Sequence, residues 1–165
     1  MIQAIEAFFL ETVGREWCVF CCSLLPIIEL RGAIPLGATL GLPLWQSFVL
    51  GVVGNLLPVP FILLLIRWGL DVMKKVRGLC RIAEWLERKV QTKREKVEKY
   101  AFWGLLLFVA IPLPGTGAWT GSLIAGVTGM PFRRAMISTV GGVLLAGVIM
   151  SLISYGVVAV FQLTV

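Results

Sequence analysis

The chain has 165 residues, of which 58% are hydrophobic and 15% charged, with a mean hydropathy of +0.92 and a net charge of +6. Soluble domains carry about 25% charged residues. Here three charge-free runs, Gly32–Ile66, Tyr100–Phe132 and Ala135–Val165, each exceed the ~20 residues a helix needs to cross a bilayer. The chain has no histidine, which removes the usual general base and the commonest metal ligand and excludes histidine-based hydrolysis. The expectation is an all-α polytopic membrane protein with no enzymatic activity and no cofactor.

The first residues, MIQAIEAFFLETVGREW, are acidic and lack the basic start of a secretory signal. Ile2, Ile5, Phe8, Phe9 and Val13 recur at helical spacing, with Glu6, Glu11 and Arg15 elsewhere. This predicts an amphipathic helix over 1–16, too short and too charged to span. Cys18, Cys21 and Cys22 follow in an apolar run, far from Cys80. They read as small apolar side chains of a membrane helix rather than as a four-thiolate metal site.

Trp17–Ile28 is apolar but only twelve residues long, reaching roughly 18 Å against a ~30 Å hydrocarbon core. It meets Glu29 and Arg31, which are bracketed by Pro26 and Pro35. A charge at the bilayer centre costs about 2.5–3.5 kcal/mol, so this stretch is expected to be a broken, polar element. Gly32–Leu42 is a second short arm, and the two arms describe a re-entrant hairpin. Such backbone is tolerated at membrane depth only where protein or water covers it. In an extended tip Glu29 and Arg31 would lie on the same side and share a cavity.

Leu44–Ile66 predicts a full span, kinked near its middle by Pro58 and Pro60 beside Asn55. Arg67–Lys99 then holds eleven Lys/Arg and five Asp/Glu, which places it in the cytoplasm. Within it Val72, Val76, Leu79, Ala83, Leu86 and Val90 form an apolar heptad stripe that Lys93 breaks before Val97. Two readings stand: a basic helix lying on the cytoplasmic membrane surface, favoured by Trp68 and Trp85 at its flanks, or a short coiled coil between protomers. A surface helix accounts for the basic charge without nucleic acid.

Ala101–Val127 contains IPLPGTGAWTGS, whose prolines and glycines again stop a helix partway across the bilayer. A helix restarting near Thr116–Thr120 would present its positive end, a place that binds anions, or Thr116, Thr120 and Ser122 could simply cap helices. Ala135–Val165 gives the last span, and Gly141, Gly142 and Gly147 in it suit close helix packing.

Shifting the sequence by 88 residues aligns the halves without a gap. Pro26 falls on Pro114, Gly41-Leu42-Pro43-Leu44 on Gly129-Met130-Pro131-Phe132, and Val52 and Gly54 on Val140 and Gly142. The expected layout is therefore an amphipathic helix over 1–16, a first repeat over 17–69, a basic helix over 70–99 and a second repeat over 100–165. Each repeat reads as a re-entrant helical hairpin followed by a full transmembrane helix. If both hairpins are re-entrant, Arg133 and Arg134 reach the cytoplasm, as the positive-inside rule requires; four ordinary spans would put them outside. Inverted repeats of broken helices are a transporter architecture. The protein is placed in the inner (cytoplasmic) membrane with both termini extracytoplasmic, and a homodimer is expected because two hairpins need shielding from lipid.

Two readings of Glu29 and Arg31 follow. Either Arg31 binds an anionic group through its planar fork, with Glu29 as counter-charge or proton carrier, or the pair is a structural ion bridge. The binding residues expected are Pro26, Glu29, Arg31 and Pro35 at the first tip, with Asn55, beside Pro58 and Pro60 in the full span, as a further lining residue. At the second they are Pro112, Pro114, Gly115, Thr116, Gly117, Trp119 and Thr120.

The motifs PIIELRGAIPLG and IPLPGTGAWTG resemble the small multidrug export family of bacteria and archaea over nearly the whole chain. That family is in turn remotely similar to the DedA/VTT membrane proteins. The resemblance implies two re-entrant loops, inverted symmetry and movement of phospholipids or polyprenyl-phosphate carriers across the bilayer. It implies that Glu29 and Arg31 are the charged groups of the first loop and that Pro112, Pro114 and Gly115 form the turn of the second. DedA-type chains keep charges around both loops, whereas here the second tip has none and Arg133 and Arg134 follow it. The expected function is flipping of an anionic lipid phosphate, with membrane lipids as partners and protons as a coupling ion. The alternatives are export of small molecules or lipophilic cations, and a non-transporting membrane scaffold.

Overall fold

The computed structural model describes residues 14–75, 94–113 and 115–164, and among them every regular element is a helix. The predicted amphipathic helix up to residue 13, most of the heptad stripe of the basic segment, Cys80 and Pro114 lie outside the described residues. Two stretches, Leu44–Gly69 and Phe132–Val160, are helical, 26 and 29 residues long, and apolar enough to cross a membrane.

Helix α1, Arg15–Leu24, follows Gly14 at φ 88. It stops where it does because Pro26 disfavours helical backbone in the residue before it: Leu25 is extended, with φ −73 and ψ 132. Helix α2, Glu29–Thr39, begins after the turn at residues 25–28 and runs through Pro35. The break is thus narrower than the sequence suggests. Glu29 and Arg31 are not in an extended tip; they belong to the first turn of α2. Pro35 removes one ladder donor, the N–H that would close on the Arg31 carbonyl, and the remaining turns carry the helix past it.

The end of α2 explains the Gly-x-Pro motif. Gly41 takes a left-handed φ of 74, the Gly41 N–H donates to the Ala38 carbonyl at 3.2 Å, and the Leu42 N–H to the Gly37 carbonyl at 3.0 Å. This is a Schellman cap, which closes the last carbonyls of a helix and favours glycine for its positive φ. Pro43 then starts helix α3, Leu44–Leu56. The chain repeats the device 88 residues later. Gly129 has φ 71, its N–H donates to Gly126 at 3.2 Å, and the Met130 N–H donates to Ala125 at 3.0 Å.

After a turn at Leu57 and Pro58 comes helix α4, Val59–Lys75, so the interruption expected near Asn55 is present. Helix α5, Arg94–Ala110, and helix α6, Ala118–Val127, flank the second proline-glycine turn. Helix α7, Phe132–Thr164, ends the described chain.

The helices sort into two compact units whose boundaries fall within the long helices. One comprises Met1–Leu57 with Val143–Val165, the other Pro58–Gly142. Glycines set the packing inside each. In the first unit α1, α2 and α3 pack mutually. Gly37 lies against Ser47 and Val19, Gly51 against Ile34 and Leu30, and Gly54 against Ser23 and the Phe20 carbonyl. The second half of α7 joins them where Gly147 meets Phe48 and Val52. In the second unit α4 packs on α6, with Gly126 against Ile66, while Gly121 and Gly142 both accept Val109 of α5. Without an oil–water difference to drive helices together in lipid, close backbone approach of this kind supplies much of the association.

A polar contact at the open end of each hairpin repeats the same 88-residue spacing. The Tyr155 hydroxyl donates to the Leu42 carbonyl at 2.7 Å and lies 2.6 Å from the Ser47 hydroxyl. The Arg67 guanidinium donates to the Met130 carbonyl at 2.6 Å and sits 5.9 Å from the centre of the Phe132 ring. In both cases a side chain from a long helix secures the carbonyl just after the Schellman glycine.

Two stability measurements check this packing. A methyl at Gly54 would sit 2.8 Å from the Phe20 carbonyl, whereas one at Gly104 would meet nothing within 4 Å. Gly54→Ala should therefore lower stability by about 1–3 kcal/mol, and Gly104→Ala should be neutral or stabilising by up to ~1 kcal/mol, both read by thermal unfolding in detergent. In the same assay Tyr155→Phe should cost about 0.5–1.5 kcal/mol through its lost hydrogen bonds.

Candidate functional site

The first hairpin is apolar at its tip and charged immediately behind it. Leu25, Pro26 and Ile27 are exposed, Ile27 by 92%. Glu29, two residues on, is only 6% exposed. It also has φ 51, the one positive φ outside glycine among the described residues. A left-handed non-glycine residue costs roughly 1–2 kcal/mol, and such strain persists where the surroundings over-determine it, often at functional positions. Here the Glu29 N–H is held by the Leu25 carbonyl at 2.9 Å. Leu30 beside it is fully buried under Gly51.

Arg31 is half-buried in the first turn of α2, two residues after Glu29. The two charges thus share the strained head of a helix rather than an extended loop. Pro35, also half-buried, lies one turn further along α2. Asn55 belongs to the same unit. It is fully buried, and neither its Oδ1 nor its Nδ2 has a hydrogen-bond partner.

The second tip is built differently. The chain leaves α5 through Ile111, whose carbonyl accepts both the Leu113 N–H at 2.8 Å and the Thr116 hydroxyl at 2.9 Å. The same hydroxyl reaches the Leu113 carbonyl at 3.0 Å, and Gly115 between them takes φ 81. Thr116 therefore closes the end of α5 and does not cap α6. The cap of α6 is Gly117, which is buried, and no side chain bonds across it. The first helical bond runs from the Gly121 N–H to Gly117 at 2.8 Å. Ser122 bonds back to the Ala118 carbonyl at 2.5 Å and also does not cap α6. Pro112, Trp119 and Thr120 are half-buried around this turn.

Of the residues anticipated, Pro26, Glu29, Arg31, Pro35 and Asn55 fall in the first unit, and Pro112, Gly115, Thr116, Gly117, Trp119 and Thr120 in the second. Sequence reasoning passed over Tyr155, Ser47 and Arg67 as partners of the turn carbonyls. The 88-residue shift that aligned Leu42 with Met130 also aligns Arg67 with Tyr155; the unlike residue types hid the correspondence.

The open ends of the hairpins have an aromatic character that the tips lack. Trp17 and Trp45 are 57% and 63% exposed at the starts of α1 and α3, and Trp68, Tyr100 and Trp103 are exposed in the second unit. Arg133 and Arg134 are exposed at the start of α7. Tryptophan and tyrosine gather at membrane–water interfaces, so apolar tips, aromatic mouths and two long apolar helices together identify a membrane protein.

No curated protein and no solved structure matches the chain. A family model does: residues 29–149, from the strained glutamate through most of the last apolar helix, match the family described as "Putative small multi-drug export protein". The match covers the second hairpin turn and both Schellman glycines, and the chain belongs to this family.

Proposed function

We propose that the protein is an integral membrane transporter whose substrate contacts the head of α2, with Arg31 binding an anionic lipid phosphate and Glu29 acting as its counter-charge. The observation that carries this reading is the strained, nearly buried Glu29 two residues before half-buried Arg31, just behind an apolar hairpin tip. Ionisable groups at membrane depth are functional by default. A guanidinium offers the bidentate geometry that phosphate prefers. Exposed Leu25, Pro26 and Ile27 suit contact with acyl or prenyl chains. Protons are the proposed coupling ion.

The two hairpins are read as re-entrant and as inserted from opposite faces, the turn at Gly41–Pro43 outside and the turn at Gly129–Pro131 inside. Support comes from charge and length. Helices α1 and α2 have 10 and 11 residues, roughly 15–17 Å, about half the hydrocarbon thickness. Arg133 and Arg134 beside the second turn, and the basic segment after α4, belong in the cytoplasm by the positive-inside rule. The matched Schellman turns and their Tyr155 and Arg67 contacts support a common repeat unit.

A second reading, export of lipophilic cations, is favoured by the family description and by Glu29 being more buried than Arg31. There Glu29 would bind the substrate and Arg31 would be its partner.

Transport by protein reconstituted in liposomes, offered polyprenyl phosphate, phospholipid and lipophilic cations, separates the two. If Arg31 recognises phosphate, Arg31→Lys, which keeps the charge but loses the fork, should slow lipid-phosphate flipping roughly tenfold or more. Full flipping by Arg31→Lys, with loss of cation export in Glu29→Gln, would select the cation reading. Unchanged transport in both variants would defeat both.

A further inference from the structure

The mouth of the second hairpin holds more positive charge than its turn requires. In the first unit the Gly-x-Pro turn is secured by the Tyr155 hydroxyl, with Trp45 and Gln46 at the start of α3. The 88-residue shift puts Arg67, Arg133 and Arg134 at the matching places of the second unit. Three uncharged side chains serve one mouth, so the turn does not explain three guanidinium groups at the other. Nor does topology. The positive-inside rule is already met by the eleven Lys/Arg of residues 67–99 and asks for no further pair seated on the turn.

The three arginines stand together. The Arg67 guanidinium is placed by its bond to the Met130 carbonyl at 2.6 Å and by the Phe132 ring, whose centre is 5.9 Å away. Arg133 and Arg134 are the next two residues, and both are exposed. They also mark the membrane edge. One apolar span ends at Gly69, two residues after Arg67, and the other begins at Phe132. That edge is the depth of lipid phosphates.

Little in the sequence neutralises them. No acidic residue follows Glu98, and α4 from Arg67 to Lys75 with the first turn of α7 holds five basic residues and one acidic, Asp71. Two arginines in the first turn of α7 also meet the positive end of its dipole, which is the unfavourable sign. The bond to Met130 occupies Nη2 of Arg67, and a guanidinium carries five N–H donors. Arg67 can therefore hold the turn and an anion at once. Guanidinium groups pair with phosphate oxygens in a planar fork, and basic pockets beside transmembrane helices hold anionic headgroups. The flanks suit the rest of a lipid. Trp68 and Tyr100 are exposed, as interfacial aromatics are, and exposed Ile137, one turn past Arg133 on α7, offers apolar surface to an acyl chain.

We propose that Arg67, Arg133 and Arg134 form a headgroup site for an anionic phospholipid, one whose phosphodiester charge is not offset by an amine. The bound lipid ties α4 to the start of α7 at the second mouth. The site uses no residue of the head of α2 and does not depend on which substrate the protein moves.

The experiment is thermal unfolding of the purified full chain in detergent, followed by tryptophan fluorescence, with phosphatidylglycerol, phosphatidylcholine or inorganic phosphate added at equal concentration. The expected result is a saturable rise in Tm, on the order of several degrees, with phosphatidylglycerol, and little or none with the other two. Replacing the pair, Arg133→Gln with Arg134→Gln, should weaken the apparent affinity for phosphatidylglycerol roughly tenfold or more. Arg31→Lys, which alters the proposed substrate site, should keep the rise. Equal rises with the two lipids would overturn the proposal, as would a rise matched by inorganic phosphate or full affinity in the pair variant. A rise lost in Arg31→Lys and kept in the pair variant would move the lipid to the head of α2 and overturn it too. Should the pair variant fail to fold, Arg133→Gln alone decides, with an expected weakening of roughly threefold or more.

Discussion

In hydrocarbon there is no water to satisfy a backbone N–H or C=O, so every interruption of a helix must be closed by the protein itself. The architecture of this chain follows from how it meets that demand. Prolines end α1 and separate α3 from α4, and each freed end is handled locally. At Gly41 and Gly129 the chain turns left-handed and folds the next two N–H groups back onto the last turn. The carbonyl that follows each turn is then taken by a side chain from a long helix, Tyr155 for Leu42 and Arg67 for Met130. Thr116 performs a similar task at the end of α5 with a hydroxyl. Polar contacts therefore concentrate at turns, and glycines let the intervening helices close on one another.

Against that economy, two features stand out as uneconomical. Glu29 holds a left-handed backbone and a nearly buried carboxylate, and Asn55 holds an unpaired amide. They lie at the same level of the first unit, at the end of the hairpin opposite the stabilising Tyr155 contact. In the proposed account the strain at Glu29 serves ligand binding, with a substrate phosphate or cation at the head of α2. The second tip carries no charge and its Thr116 and Ser122 hydroxyls bond backbone carbonyls, so the two tips differ chemically even though the turns match.

Much of this was legible in the sequence. Charge-free runs longer than a membrane is thick, and arms only half that long, announced the helices and the hairpin. The Gly-x-Pro repeat at an 88-residue shift marked the turns because a Schellman cap demands a positive φ that glycine adopts freely. What stayed hidden has physical causes. Pro35 looked like the far end of a broken tip, but a single missing donor does not stop α2, so Glu29 and Arg31 came out helical. Thr116 looked like an N-cap, but its hydroxyl folds backward, because the turn holds Ile111 and Leu113 within reach. The Tyr155 and Arg67 contacts were invisible because one donor geometry is served by two unlike side chains. The exchange of long-helix halves between compact units is a tertiary property with no local signature.

The claim on which the functional account rests is that the two matched hairpins enter the membrane from opposite faces. It is tested most directly by labelling single cysteines, in a background with the native cysteines replaced by serine, using a membrane-impermeant maleimide applied to intact cells and to inverted vesicles. The account predicts that Gln46→Cys, beside the first turn, reacts only from the outside and Arg134→Cys, beside the second, only from the cytoplasmic side. Reaction of both positions from the same side would contradict it.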